Sequence, residues 1–103
     1  MTTNHLKNTA FEAYKDKNII ILKDCLSHGL NVDELYSHEQ TLLYLCLQEK
    51  HIHYEMIEFL VHNQANVNHI DSLKKVPMIT NICMRSNSNA IKIMQLFIEN
   101  GLN

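Results

Sequence analysis

Apolar residues recur at helical spacing along most of this chain, and short polar runs carrying turn-forming residues interrupt them. Residues 1–8 are polar and predict a frayed tail or a short cap. From Thr9, the positions Ala10, Phe11, Ala13 and Tyr14 predict a short helix that ends in the polar run Lys15-Asp16-Lys17-Asn18. Asn18 suits the N-cap of a second helix, from Ile19 to His28. Ile19-Ile20-Ile21-Leu22 alone reads as a strand, but Cys25 and Leu26 continue the apolar face at helical spacing. Gly29 stands where a helix C′ glycine belongs. The alternation from Leu30 to Leu35 then predicts an extended arm.

The pattern repeats downstream. Thr41 is a candidate N-cap, and Leu42 to Leu47 is apolar nearly all round, which predicts a helix buried on most sides. A polar break over 48–53 leads to a helix from Tyr54 to Asn63, whose core contacts come from Met56, Ile57, Phe59, Leu60 and Val61. Asn66 to Asp71 is a second extended arm. Pro77 suits the first turn of a short helix with Met78, Ile79, Ile82 and Cys83 on its inner face. A polar loop over 85–89 offers Ser88 or Asn89 as N-cap for a last helix from Ala90 to Asn100, with Gly101 at its end. Gly29, Gln64 and Gly101 fall at matching points, 35 and 37 residues apart, which points to stacked repeats.

Helix, turn, helix and arm at about this period resembles the ankyrin repeat, whose usual period is ~33 residues. His28-Gly29-Leu30-Asn31-Val32-Asp33 looks like the family's G-A-D-V-N, and Asn66-Val67-Asn68-His69-Ile70-Asp71 resembles its D-V-N-x-x-D. Thr41-Leu42-Leu43-Tyr44 and Val76-Pro77-Met78-Ile79 look like degraded T-P-L-H openings. The departures are about two and about four extra residues between the helices, at Glu49–His53 and Arg85–Asn89. Gln64 also replaces the usual glycine, at a strain cost if the backbone there is left-handed. The resemblance implies an all-α, ankyrin-like solenoid of three helix-turn-helix units with short β-hairpin or extended arms; the alternative is an irregular stack of helical hairpins without the β-arms. The repeat domain is 9–103, in units of about 9–40, 41–75 and 76–103, behind the tail or cap of 1–8.

The resemblance also implies where a partner would bind: at arm tips and on exposed positions of the short inner helices. The tip candidates are Ser37, His38 and Gln40, then Ser72, Leu73 and Lys75. On the inner helices they are Lys15, Asp16, Gln48 and Glu49, with Met84 in the last unit. Tyr36 stands where the family's arm aspartate would be, and Tyr36 and Leu73 are apolar at tips where solvent-exposed residues are expected.

Composition narrows the chemistry. A formal charge of −2 gives no overall pull towards nucleic acid or an anionic membrane. No segment reaches the ~18 apolar residues of a membrane span, and the N-terminus lacks a signal-peptide h-region, so a cytoplasmic protein is expected. Cys25, Cys46 and Cys83 each lie in apolar runs and are expected as buried free thiols, outside any catalytic Cys/His pair. His51, His53, His62 and His69 lack paired ligand spacing, so they are expected as solvated loop residues, with no metal and no cofactor. The two glycines form no phosphate loop, and there is no G-x-S-x-G. Asp33, Glu34 and Glu39 lie towards one end of the row of arms, and Lys74, Lys75 and Arg85 towards the other, a pattern suited to steering a protein partner.

The expected function is therefore a non-catalytic protein-protein interaction module: a small inhibitor, adaptor or toxin-immunity protein that acts by covering its partner. The alternatives are an end fragment of a larger ankyrin solenoid, since the chain stops inside the third arm motif, and a small enzyme. Ile93, Leu96 and Phe97 have no fourth unit to cover them, so either they point inward or a partner or a second copy covers that end, the latter by self-association through the C-terminal unit.

Overall fold

The computed structural model describes residues 3–70 and 88–102. These residues form α1 (Thr3–Lys15), α2 (Ile19–Ser27), a 3-10 turn (Ser37–Glu39), α3 (Leu42–Gln48), α4 (Tyr54–His62) and α5 (Ser88–Glu99). The described residues are mostly helical, as an all-α fold requires, and there is no β-strand among them. The first part of the third unit, 76–87 with Cys83 and Met84, lies outside the described residues, as do Ser72, Leu73 and Lys75 of the second.

Helix α1 begins well ahead of Thr9, so most of the expected tail is helix. Leu6 stands one turn before Ala10 on the same face, and it is buried with Ala10, Ala13 and Tyr14. No glycine or proline interrupts the segment, so one leucine suffices to carry the helix back over a polar stretch. In α2 the ambiguous isoleucine run is helical. Leu22 and Cys25 face the core, while Ile20 and Ile21 face solvent, as only helical spacing allows. Three side chains cap helix starts from the preceding residue. Asn18 Oδ1 accepts from the Ile21 N–H at 3.2 Å, Thr41 Oγ1 from the Tyr44 N–H at 3.2 Å, and His53 Nδ1 from the Met56 N–H at 3.3 Å.

Three helix ends share one geometry. Gly29, Gln64 and Gly101 take φ of 102°, 73° and 103°. The next residue's N–H then reaches back into the helix: Leu30 to Cys25 O at 3.2 Å, Ala65 to Leu60 O at 3.1 Å, Leu102 to Phe97 O at 3.0 Å. Just before each, a side chain binds the carbonyl four residues back, always at 2.8 Å: His28 Nδ1 on Asp24 O, Asn63 Nδ2 on Phe59 O, and Asn100 Nδ2 on Leu96 O. Gln64 holds the left-handed position without the freedom of glycine, as its place in the pattern anticipates.

The segments after α2 and α4 differ from the extended arms that their alternation predicts. Asn31 Oδ1 accepts from the Asp33 N–H, and Asn66 Oδ1 from the Asn68 N–H, both at 2.9 Å. Each asparagine offers the backbone a local partner, which folds the chain into a turn in place of a strand. Asp33 Oδ1 accepts from the Asn66 N–H at 2.7 Å, and the equivalent Asn68 donates from Nδ2 to Gly101 O at 2.9 Å. These two bonds tie successive turns side by side.

α1 packs on α2, α3 on α4, and α4 on α5. One apolar core runs from Leu6 to Phe97. Its centre is the stretch Met56–Val61, where Met56, Ile57, Leu60 and Val61 are all buried. Cys25 and Cys46 are buried free thiols, and burial raises both, Cys46 to about 12.

Candidate partner-binding groove

Between the outer side of α1 and the turn after α2 lies a cleft of about 340 Å³, lined by Lys7, Asn8, Phe11, Glu12, Tyr36 and Ser37. Its floor is aromatic. The Tyr36 and Phe11 rings stack with centroids 5.4 Å apart and 30° between planes. Tyr36 Oη donates to Lys7 O at 3.3 Å, and Lys7 Nζ sits 5.1 Å from the Tyr36 ring centroid. Lys7 and Phe11 are four residues apart on α1, so one helix face supplies both the cation and the ring. Burial, with smaller contributions from Glu34 and Cys25, pushes the Tyr36 hydroxyl up to about 12, so it stays a neutral donor at physiological pH.

The ring row continues along α1. Phe11 and Tyr14 lie 5.9 Å apart, with Lys15 Nζ 5.6 Å from the Phe11 ring centroid and Lys17 Nζ 4.6 Å from that of Tyr14. It ends at Glu49, beyond the end of α3. Tyr14 Oη donates to Glu49 Oε1 at 2.6 Å, and Lys17 Nζ donates to both Glu49 oxygens, at 2.6 and 2.8 Å. Burial alone would raise the Glu49 carboxyl, but the Lys17 and Tyr14 hydrogen bonds outweigh it and hold it below its ordinary value. Burial and the Glu49 carboxylate both raise the Tyr14 hydroxyl.

The tip beside the cleft is under backbone strain. His38 and Glu39 take φ of 62° and 57°, so two consecutive residues with side chains stand in the left-handed region. The turn is closed by the Tyr36 N–H on Gln40 O at 2.8 Å. A second clasp comes from His69, whose Nε2 lies 3.0 Å from Glu39 O. A carbonyl only accepts, so that nitrogen carries the hydrogen. The His69 ring also meets Tyr44 edge-on, 6.2 Å between centroids.

The residues expected to bind a partner therefore separate. Tyr36 and Ser37 line the cleft, His38 is exposed beside it, and Gln40 closes the turn half-buried. Gln48 is exposed at the far end of α3. Glu49, expected as an exposed inner-helix position, is half-buried, and its carboxylate is bound by Tyr14 and Lys17. Lys15 and Asp16 are exposed, and Lys15 makes a loose i,i+3 pair with Glu12 at 3.8 Å. Ser72, Leu73, Lys75 and Met84 lie outside the described residues.

The sequence pattern does not single out Lys7, Asn8, Phe11 and Glu12 as site residues: Lys7 and Asn8 fall in the expected tail, and Phe11 and Glu12 line the cleft only because the fold brings the turn at Tyr36 against α1. Sequence reasoning also treated His53 and His69 as solvated, whereas His53 caps α4 and His69 anchors the tip. The position of His53 just ahead of the Tyr54 helix was the available signal. Among the described residues, no group of three or more His, Cys, Asp or Glu side chains could hold a metal ion. No described helix is long and apolar enough to cross a membrane. No family model, curated protein or solved structure matches the chain.

Proposed function

We propose that this chain is a non-catalytic protein-binding module, an ankyrin-like stack that presents the groove between α1 and the Tyr36–Gln40 turn to a partner protein. The groove carries the reading: a stacked Phe11–Tyr36 floor, a Lys7 rim, and a neighbouring tip clamped in a strained conformation. Rigid aromatic surface edged by a cation is the composition from which binding hot spots are built. The stacking part of the reading draws support from the matched helix ends and from the Asp33–Asn66 and Asn68–Gly101 bonds, both of which start from the fourth residue after a left-handed helix end. Lys7 on the rim and Lys15 one ring along suit a partner segment with a bulky apolar side chain flanked by carboxylates.

The test is a photo-crosslinking residue placed at Ser37 or Glu12, with Lys23 on α2 as control, in extract of the native host. The captured protein is then purified and titrated against the full chain. One protein captured from Ser37 and Glu12 but not from Lys23, with affinity reduced about tenfold or more by Lys7→Glu, supports the reading. Equal capture from all three positions, or an affinity indifferent to Lys7→Glu, overturns it.

A further inference from the structure

The last helix has two unlike faces. Ile93, Leu96 and Phe97 point into the core and are buried, the inward alternative that the sequence left open. The opposite face leaves Ile91 and Ile98 in water, 65% and 64% exposed, with half-buried Met94 between them in sequence. Ile91 and Ile98 are seven residues apart, two helical turns, and so stand nearly in line along α5. Lys92 and Glu99 are also seven residues apart and form a second line beside the first, bordering the cleft towards Tyr54, Glu58 and His62.

We propose that this face is self-complementary and docks a second copy of the chain, with α5 antiparallel to α5. The charge arrangement selects the occupant and its direction. A two-fold axis near Gln95 sets Ile91 of one copy beside Ile98 of the other. The same operation brings Lys92 of each copy to Glu99 of the other, so both charge pairs are satisfied at once. Parallel packing would oppose Lys92 to Lys92 and Glu99 to Glu99. The other exposed isoleucine pair, Ile20 and Ile21 on α2, has Lys23 and Asp24 as adjacent neighbours and no such dyad pattern. A helix of 12 residues is only about 18 Å long, so the contact is small and the dimer is weak and concentration-dependent. The inference does not depend on the groove beside α1: either can fail alone.

Sedimentation equilibrium of the full chain from about 1 µM to about 1 mM tests it. Wild type is expected to shift from monomer to dimer across that range. Ile98→Glu abolishes the shift, and Ile20→Glu leaves it in place. Lys92→Glu and Glu99→Lys each weaken the dimer by about tenfold or more, because each sets like charges together twice. An equimolar mixture of those two variants recovers the wild-type affinity, since the reversed charge of each then faces its complement. Unchanged far-UV circular dichroism shows that a lost dimer is not a lost fold, as expected at exposed positions. A wild type that stays monomeric, single charge variants that dimerise like wild type, or a mixture without recovery overturns the proposal.

Discussion

The contact between α3 and α4 and the seam between α1 and the end of α3 join neighbouring helices by opposite chemistry. The first is apolar: Leu43, Leu47, Met56, Ile57 and Leu60 are all fully buried there. The second converges on one carboxylate, Glu49, which takes hydrogen bonds from Tyr14 and Lys17. Burial of apolar surface is non-directional and adds free energy with area, so the α3–α4 contact supplies stability without fixing register closely. The Glu49 seam supplies less energy but fixes geometry, because its bonds are satisfied at only one setting of α1 against α3. Lys17 and Glu49 side chains keep 29% and 26% of their exposure, so water screens the pair and restores much of what a broken bond loses.

Substitutions should separate the two. Leu60→Ala is expected to have the largest effect, a loss of about 3 kcal/mol in urea unfolding, from lost burial plus the cavity left behind. Glu49→Gln should lose about 1 kcal/mol. A double-mutant cycle of Glu49→Gln with Tyr14→Phe should show coupling, whereas Glu49→Gln with Leu60→Ala should be additive. An additive first cycle would mean that the seam does not act as a unit.

Acid gives a second handle on the seam. The Glu49 carboxyl is lowered in the folded chain, so its contribution is present above the unfolded value of about 4.3 and is lost as pH falls through the folded one. The stability gap between wild type and Glu49→Gln should therefore be full at pH 7 and close as pH falls from about 4.3 through the lower folded value. Alkali acts on the groove. The Tyr36 hydroxyl is raised to about 12, so stability is intact below the unfolded value of about 10 and is lost as pH rises towards the folded one. Tyr36→Phe should remove that loss, read as a flatter unfolding midpoint across the interval. The smallest effect is expected at the end of α4, where neither chemistry acts. Gln64→Gly should stabilise by about 0.5 kcal/mol, because relief of the left-handed strain narrowly exceeds the extra chain entropy.

What the sequence made legible follows from range. Local rules placed α2, α4 and α5 to within a residue or two, because caps such as Asn18 and C′ positions such as Gly29 are decided by near neighbours. The arms misled because Leu30-Asn31-Val32-Asp33 satisfies strand alternation, while the asparagine's bond to its own backbone decides the outcome. The early start of α1 was hidden because a single leucine carries the apolar face there. The repeat resemblance marks Tyr36 and Ser37 as tip positions, and both line the cleft beside α1. The other wall was missed because Lys7 and Phe11 meet Tyr36 across more than twenty residues, a distance that no periodicity encodes. The bonds of Glu49 were hidden for the same reason: its partners are 35 and 32 residues away.

The Asp33 and Asn68 side chains each reach a backbone group 33 residues further along. Each acts as a spacer gauge, setting the pitch between one turn and the next whatever the chain does in between. Residues inserted between α3 and α4 would lengthen the path without moving the gauge's ends. Length drift should therefore gather between the helices, while positions 33 and 68 stay short and polar. A longer side chain there, Asp33→Glu for instance, would change the spacing itself.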